Sequence, residues 1–363
     1  MLYKVEKYGV AGNVLKCIRS FLTGRRQKVV VNGVSSDWTE VISGIPQGSV
    51  LGPLLFIIYV NDLVKIIGDE SSIYLYADDT KLYRHIRCDH DRLLLQQNLN
   101  DIVEWMNKFL LKLNVDKCKV VSYGKHTTTD YKYVVNSVAL ENLVTIKDLG
   151  VTFINNLRFS VHITDKIKKA NNMLSLINRN FKHLSPDAFL GLYKSLVRSH
   201  LEYAVQAWCP YRKGDIEMLE RVQMRATKMI RGLRGKSYTQ RLVYLQLPTL
   251  KYRRIRGDMI ALFKIFCSNI IGNENVAPHL NLSSVVHTRG NKFKLVKSHV
   301  KYELFKNLFT NRVVDVWNSL PDDVVCAPTL GSFKTRLDRF WQHQCMLFDW
   351  EADIAGTGSR SMK

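Results

Sequence analysis

Paired cysteines, long hydrophobic runs and acidic residues are all scarce in this sequence of 363 residues. None of the seven cysteines belongs to a C-x-x-C pair, which argues against a disulfide framework and is typical of a reducing compartment. The longest apolar run, VLGPLLFIIYV at 50–60, contains glycine and proline and is too short to span a bilayer. The first ten residues lack the apolar stretch of a secretory signal. We therefore expect a nuclear or cytoplasmic protein that is neither secreted nor bound to a membrane.

The scarcity of acidic residues leaves a large excess of positive charge. The chain has 53 Lys and Arg against 32 Asp and Glu, a formal net charge of +21. Such an excess predicts a polyanionic partner, nucleic acid before membrane. The hydrophobic content of 46% is typical of a globular protein and excludes a largely disordered chain.

The positive charge is concentrated in residues 212–256, which contain thirteen Lys and Arg and three Asp and Glu. The segment DIEMLERVQMRATKMIR has the periodicity of an amphipathic helix. Its apolar side holds Ile216, Leu219, Val222, Ala226, Met229 and Ile230. Its basic side holds Arg221, Arg225 and Lys228. A solvated helix face would show the same pattern, but the local charge favours contact with a nucleic-acid backbone.

Secondary-structure signals divide the chain into parts of different character. Asn32-Gly33 predicts a hairpin turn in the segment QKVVVNGVSSDWTEVIS. Apolar periodicity predicts a helix over 92–113 with Leu110 facing inward, and KCKVVSY (117–123) has the pattern of a strand. The predicted parts are an α/β-alternating region 1–155, a helical region 156–271, a polar linker 272–292, a small helical unit 293–345 and a tail 346–363. The predicted class is α+β.

Two adjacent carboxylates, Asp78 and Asp79, interrupt the apolar, β-prone segment IYLYADDTKLY. Adjacent negative charges repel each other, so the pair is either a solvated turn or a ligand set for a cation. Taken alone, the pair favours the turn. The surrounding sequence changes that balance.

A glycine-rich segment, SGIPQGSVLGPLLF at 43–56, precedes the acidic pair. Gly44 and Gly48 allow close backbone approach, and Pro46 stiffens the turn between them. Ser49 is placed to cap the helix that follows, and the amino terminus of a helix favours anionic ligands. A tight loop before a buried helix would explain the same residues without a ligand.

Together, SGIPQGSVLGPLLFIIYVNDL and YLYADDTKLY resemble the palm of reverse transcriptases, more narrowly those of non-LTR retrotransposons of the jockey and CR1-like kind. The similarity continues through NVDKCKVVSYGK, KDLGVTFINNLRFS, LYKSLVRSHLEYAVQAWCPYRKGDIEMLERVQMRATKMI and LFTNRVVDVWNSLP, roughly residues 1–345. The resemblance implies a partial right-hand polymerase: a palm with an antiparallel sheet and helices, a helical thumb and a small helical unit at the carboxyl end.

The resemblance also implies roles for individual residues. Asp78 and Asp79 would bind two Mg²⁺ or Mn²⁺ ions, and Lys117 would lie near the leaving phosphates. Pro46, Gln47, Gly48 and Ser49 would line the nucleotide and template pocket, with Tyr76 beside the primer end. The implied partners are an RNA template, a DNA primer and deoxynucleoside triphosphates. Two divalent ions about 3.5–4 Å apart serve in-line displacement at phosphorus.

The sequence departs from the family at its amino terminus. Working members carry a third acid in an F-x-D…A-F-D block shortly before the helix that here reads LYKVEKYGV. We expect that block, the fingers and any upstream endonuclease to be missing, because Met1 lies within this helix. Glu6 is the only nearby acid and lies on a different element.

Two interpretations therefore stay open. The chain is part of an RNA-directed DNA polymerase whose product is longer, or it is a catalytically inactive remnant that binds nucleic acid. A zinc module is a third alternative, since RHIRCDHD supplies His85, Cys88 and His90. No paired zinc-ligand spacing accompanies these residues, so zinc is not expected.

Overall fold

The computed structural model describes residues 1–68, 70–124, 131–181, 184–267, 280–283 and 291–356. Helices and short strands alternate up to residue 154, and helices dominate after residue 160, in agreement with the α+β class. The chain forms two compact units. Unit 1 comprises residues 1–122 and the described part of 126–143, and unit 2 comprises the described residues of 123–125 and 144–363.

The described residues of unit 1 form four helices. They are α1 Leu2–Lys7, α2 Gly12–Leu22, α3 Leu51–Val60 and α4 Asp89–Lys108. Helix α2 ends two residues before Gly24, whose φ is 63°. Helix α4 begins at a capping box in which the Asp91 side chain accepts from the backbone N–H of Cys88 at 3.0 Å. A 3-10 segment, Asn61–Ile66, follows α3 directly.

The strands of unit 1 are short and pair two by two. They are β1 Arg26–Gln27, β2 Val30–Val31, β3 Val34–Ser35, β4 Thr39–Glu40, β5 Ser71–Tyr76, β6 Asp79–Arg84, β7 Lys119–Val120, β8 Val134–Val135, β9 Val138–Ala139 and β10 Glu141–Asn142. Pairing is antiparallel for β1–β4, β2–β3, β5–β6 and β8–β9, and parallel for β7–β10. Every sheet of the described residues has two strands, so these strands form separate pairs.

Two predictions from periodicity need correction in unit 1. The helix expected over 92–113 is α4, which ends at Lys108, and Leu110 is 90% exposed with a φ of 55°. The chain leaves the helix there because the N–H of Leu111 bonds to the carbonyl of Met106 at 2.9 Å. The strand expected over 117–123 is confined to β7, because Val115–Lys117 forms a 3-10 turn.

Unit 1 has three small apolar clusters, each built on three buried side chains. The first joins α1, α2 and α3 through Val5, Ile18 and Leu55. The second joins α4 to the β5–β6 hairpin and contains Leu63, Ile102 and Trp105. The third joins α4 to the β8–β9 hairpin and contains Tyr133, Val135 and Leu140.

Unit 2 begins with a β-hairpin and continues as helices. The hairpin pairs β11 Thr145–Asp148 with β12 Val151–Ile154. The helices are α5 Ser160–Asn180, α6 Pro186–Leu192, α7 Arg198–Glu202, α8 Val205–Trp208, α9 Lys213–Lys228, α10 Tyr238–Leu245, α11 Leu250–Cys267, α12 Glu303–Lys306, α13 Phe309–Asn318, α14 Asp322–Val325 and α15 Leu330–Phe340. Ser185, Ser237 and Thr329 cap α6, α10 and α15 with their side-chain oxygens.

Two large apolar cores hold unit 2 together. One contains 21 buried residues from the β11–β12 hairpin and the helices up to α10, and reaches the first residue of α11. The other contains 17 buried residues from the remainder of α11 and the segments after residue 280. Helix α11 takes part in both cores, because Leu250 lies in the first and Phe263 in the second.

Most of the predicted linker 272–292 and the end of the predicted tail lie outside the described residues. At the described margins, Leu280 is buried and Asn291 donates to the carbonyls of Trp317 and Leu320 at 2.9 and 3.0 Å. Met346 is also buried. These margins therefore pack against the second core.

Candidate active site

The acidic pair lies at the tip of the β5–β6 hairpin. Tyr76 pairs with Asp79, so Ala77 and Asp78 form a two-residue turn, with φ of Ala77 at 51°. Because successive side chains of a strand point to opposite faces, Ile73, Leu75 and Leu82 share the face that packs on the second cluster of unit 1. The register therefore presents Asp78 and Asp79 at the end of a hairpin whose inner face is packed.

Both carboxylates of the pair are exposed. Neither has a hydrogen-bond or ion-pair partner within the described part of the chain. Two adjacent negative charges that form no ion pair among the described residues attract a cation. The pair is thus available as an oxygen ligand set.

The base of the hairpin is fixed by Arg84, a residue that sequence analysis did not identify. Its Nη1 donates to the Ser71 hydroxyl at 3.1 Å, and its Nη2 forms ion pairs with Glu70 and with Asp91 at 3.2 Å. Backbone N–H groups of Arg87 and Cys88, together with Arg84, hold the pKa of Asp91 well below its usual range. Strand β6 is therefore tied to the first turn of α4.

The loop before α3 is tight, as the glycine and serine pattern predicts. The Ser49 hydroxyl accepts from the N–H of Gly52 at 3.0 Å and donates to the carbonyl of Pro46 at 2.8 Å. A Cβ on Gly52 would lie 2.9 Å from that hydroxyl and 3.1 Å from that carbonyl. Gly48 has a φ of 77°, a region that favours glycine. Ser49 thus caps α3 and closes the loop, while Gln47 and Gly48 remain exposed.

A second residue missed by sequence analysis, Arg25, holds the entry to this loop. Its Nη2 donates to the carbonyls of Gly44 and Ser43 at 2.7 and 3.3 Å, and its Nε donates to the carbonyl of Leu22 at 3.1 Å. A cation just after a helix end often bonds to the last carbonyls, which was the available signal. The contact with Gly44 is long-range, and no local pattern indicates it.

Lys4 performs a similar role between helices. Its Nζ donates to the carbonyl of Tyr59 at 2.6 Å and forms an ion pair with Asp62 at 3.0 Å. It also lies 4.1 Å from the ring centre of Phe109, within cation–π range. Helix α1 is thereby attached to α3 and to the end of α4.

The structure joins some of the predicted site residues and leaves others apart. Tyr76, Asp78 and Asp79 share the hairpin, while Pro46 to Ser49 share the loop. Lys117 ends an exposed 3-10 turn elsewhere in unit 1. Among the described residues, no hydrogen bond or ion pair connects these three groups.

The acidic pair fits magnesium in the chemistry of its ligands. Mg²⁺ is commonly held by one or two carboxylates, with water and substrate phosphate as the remaining ligands. Across the described ranges, no group of three or more His, Cys, Asp or Glu gathers at one place. The zinc candidates have other contacts, because Cys88 Sγ bonds to Asp91 and His85 Nδ1 accepts from Arg87.

The basic face of α9 is exposed as predicted. Leu219, Val222 and Ala226 are buried on the opposite side. Its exposed cations are Arg221, Arg225 and Lys228. Their surroundings differ: Arg221 pairs with Glu217 at 2.6 Å, Arg225 donates to the Asn171 side chain at 3.1 Å, and Lys228 has no such contact within the described residues.

Part of the remaining positive charge of residues 212–256 is buried or held in ion pairs, so the segment does not present all of its charge on one binding surface. Arg241 and Arg254 are buried. Arg253 pairs with Glu202, Arg256 with Asp338, and Lys251 with Asp353. The three ion-paired cations of α11 are partly exposed, and their partners lie outside that helix.

No helix of the described residues has the length and apolar character that crossing a membrane requires.

Comparison with known proteins agrees with the motifs. Residues 2–153 match the family described as reverse transcriptase (RNA-dependent DNA polymerase). The chain is 29% identical over 225 residues to the probable RNA-directed DNA polymerase from transposon X-element of Drosophila melanogaster, covering 59% of the chain and 24% of that protein. It is 29% identical over 274 residues to the RNA-directed DNA polymerase from mobile element jockey of Drosophila funebris, covering 72% of the chain and 29% of that protein.

The jockey protein of Drosophila melanogaster is similar at 26% identity over 244 residues, covering 64% of the chain and 26% of that protein. In each case the matched region spans less than a third of the relative, between 24% and 29% of its length. The family match and these relatives confirm the resemblance carried by the SGIPQGS and YADD motifs. Residues 2–153 thus match the reverse transcriptase family, and the chain is similar to RNA-directed DNA polymerases of mobile elements.

Proposed function

We propose that this chain is the portion of an RNA-directed DNA polymerase that carries the acidic hairpin and the helices that bind the template–primer duplex. The observation that supports this most strongly is the Asp78–Asp79 pair, which is exposed at the tip of an anchored hairpin within the family-matched region and forms no ion pair with another described residue. In this proposal residues 1–155 are part of the palm, 156–271 are the thumb and 293–345 are a packing unit. The substrates are a DNA primer, an RNA template and deoxynucleoside triphosphates.

Asp78 and Asp79 would hold the divalent ions, Mg²⁺ or Mn²⁺. When bound, such ions stabilise the attacking and leaving oxygens of nucleotidyl transfer. The hairpin presents both carboxylates without an ion pair to another described residue. Arg84 sets their position indirectly, because its contacts with Ser71 and Asp91 fix the strands that carry them.

The remaining site residues bind and orient. Tyr76, which is 63% exposed and pairs with Asp79, would lie beside the primer end. Pro46, Gln47 and Gly48 would line the pocket for the incoming nucleotide and the template base. Their loop is pre-formed by Ser49 and Arg25, which lowers the entropy cost of binding.

Lys117 would neutralise negative charge on the leaving phosphates. Its exposed position on a 3-10 turn leaves the ammonium accessible. A lysine serves as a compact point charge for phosphate. Arg221, Arg225 and Lys228 would contact the duplex backbone from α9.

A second function, binding of nucleic acid without catalysis, is favoured by one specific observation. The described residues bring two acids together at the hairpin and not three. A metal site with fewer protein ligands depends more on the substrate for its geometry.

Primer extension separates these two functions. Three purified proteins are compared: the unmodified chain, Asp78→Asn and the control Asp37→Asn, which changes another exposed acid. Each receives a DNA primer on an RNA template, deoxynucleoside triphosphates and Mg²⁺. Extension that is lost in Asp78→Asn and kept in Asp37→Asn supports the polymerase. Salt-dependent duplex binding without extension supports the second function, and the absence of both contradicts the proposal.

A further inference from the structure

The stretch from 221 to 257 contains eleven Lys and Arg and no Asp or Glu. The structure divides these cations into those that are buried or ion-paired and those that are exposed. Arg241 and Arg254 are buried, and Arg221 and the cations of α11 at 251, 253 and 256 form ion pairs. The remaining cations, which we call the basic turn, are exposed: Arg225, Lys228, Arg231, Arg234 and Lys236.

The basic turn is held rigidly by buried side chains between its cations. Ile230 and Leu233 are 4% and 3% exposed and belong to the first core of unit 2. The N–H of Leu233 bonds to the carbonyl of Ile230 at 3.2 Å, and the N–H of Lys236 bonds to the carbonyl of Leu233 at 3.1 Å. A turn anchored in this way loses little conformational freedom when it binds a ligand.

Arg241 fastens the far end of the basic turn. Its Nη1 donates to the carbonyl of Lys236 at 2.7 Å, and its Nε donates to the Thr227 hydroxyl at 3.0 Å. One buried guanidinium therefore bridges the end of α9 and the end of the turn. The exposed cations between these two points have a fixed backbone.

Asn171 of α5 is a positioning residue for the first cation. Its Oδ1 accepts from Arg225 Nη1 at 3.1 Å. The Ser160 hydroxyl donates to Asp215 at 3.1 Å near the start of both helices, so α5 and α9 run side by side in the same direction. A neutral amide orients the guanidinium without cancelling its charge.

The helix dipole explains only part of this arrangement. Cations in the last turn of a helix stabilise it, but the effect falls off within that turn. Arg225 and Lys228 lie in the last turn of α9, whereas Arg231, Arg234 and Lys236 lie beyond it. Like charges held close together without acids repel each other, and a polyanion relieves that repulsion.

We propose that the basic turn binds the phosphates of an RNA–DNA hybrid duplex and that Asn171 orients Arg225 for this contact. This inference rests on the proposed function and extends its binding surface beyond α9. It also ranks the cations, because Arg221 is already neutralised by Glu217 and contributes less than the unpaired members.

The test measures affinity for a hybrid of about twenty base pairs by fluorescence anisotropy over a series of salt concentrations. Two triple variants are compared. The first changes Arg231, Arg234 and Lys236 of the basic turn to Gln, and the second, a control, changes three exposed cations elsewhere in unit 2. The control residues are Lys292, Lys301 and Arg339, each changed to Gln. The salt slope is the steepness with which the logarithm of affinity falls as the logarithm of salt concentration rises. We expect the basic-turn variant to lower this slope by about two to three and to weaken binding on the order of 100-fold near 0.1 M salt.

The role of Asn171 has its own variants. Asn171→Asp places a carboxylate beside Arg225, so we expect the salt slope to fall as it does in Arg225→Gln, with the thermal midpoint maintained. Asn171→Ser, which keeps a neutral acceptor, should restore most of the slope. A merely structural asparagine would change the midpoint and leave the slope alone.

The outcomes separate this inference from the proposed function. Equal salt slopes in the two triple variants would refute duplex binding by the basic turn but would not contradict the polymerase proposal. Hybrid binding that is absent or independent of salt in the unmodified chain overturns both. Stronger binding to anionic lipid vesicles than to the hybrid would also overturn the basic turn as a nucleic-acid site.

Discussion

Asp78 and Asp91 show how position decides what a carboxylate can do. Asp91 is saturated by two backbone N–H groups and by Arg84, and its pKa is held far below the usual range. Asp78 lies only on the turn and has no such partner within the described residues. The Asp91 carboxylate therefore fixes the hairpin, whereas the Asp78 carboxylate is available to bind a ligand.

His162 makes the stability of unit 2 depend on pH. The ring is fully buried, and burial, with Lys166 nearby, lowers the pKa of His162 to about 4. Its Nδ1 accepts from the N–H of Thr152 at 3.0 Å, so the ring is held neutral. The unfolded chain binds the proton near pH 6.5, and stability is therefore lost as pH falls from about 6.5 to about 4.

We expect this loss to reach at most about 3 kcal/mol. His162→Asn, which keeps an acceptor for Thr152, should be less stable at pH 7 and should lose less stability between pH 6.5 and 4. Urea unfolding followed by the fluorescence of Trp208, 5.1 Å from the imidazole ring centre, measures both. Parallel pH profiles for the two proteins would contradict the assignment.

Ala77 places a Cβ in the left-handed region at the tip of the hairpin. A β-branched residue is strongly disfavoured there. We expect Ala77→Val to lower the free energy of unfolding of unit 1 by about 1–2 kcal/mol, whereas Ala77→Gly should not lower it by that amount. Chemical denaturation of the three proteins checks this, and a Val variant as stable as the Gly variant would refute it.

At the scale of elements, helix α9 shows two faces with separate roles. Leu219 is completely buried in the first core of unit 2, whereas Lys228 is exposed. We expect Leu219→Ala to cost about 3 kcal/mol of unfolding free energy and Lys228→Gln to change it by less than about 0.5 kcal/mol. Duplex affinity should respond mainly to Lys228. The reverse pattern, measured by denaturation and anisotropy, would show that the faces are assigned wrongly.

Elements with strong local signals were predictable. The Asn32-Gly33 turn joins β2 to β3 with both residues at positive φ, and Ser49 caps α3. Periodicity located α4 but extended it past Lys108, because Leu110 matches the apolar pattern while its backbone has left the helix. Pattern alone does not detect such an ending.

Short sequence motifs indicated the candidate ligands of the site, but they did not indicate the residues that support those ligands. Asp78, Asp79 and the Pro46–Ser49 loop follow from short motifs. Arg25, Lys4 and Arg84 act through contacts between residues that are distant in sequence. A side chain that bonds to a remote carbonyl leaves no local signature, so sequence reasoning could not assign these roles.

On the scale of the whole molecule, the two units differ in the size of their cores. Unit 1 rests on three clusters of three buried side chains, whereas the cores of unit 2 contain 21 and 17. Small cores and two-stranded sheets open at lower free energy. Hydrogen exchange should therefore be fast for β1 to β4, whose residues are exposed, and slow for α5, α9 and α11. Uniform protection across both units would contradict this ranking.

A manganese titration measures whether the two carboxylates at the hairpin tip bind divalent ions. Mn²⁺ binding is followed by electron paramagnetic resonance in the presence of a primer–template duplex and a deoxynucleoside triphosphate, with and without the chain. We expect the chain to add Mn²⁺ sites. These sites should be absent from the double variant Asp78→Asn/Asp79→Asn and present in Asp37→Asn. Equal Mn²⁺ binding by all three proteins would contradict this expectation.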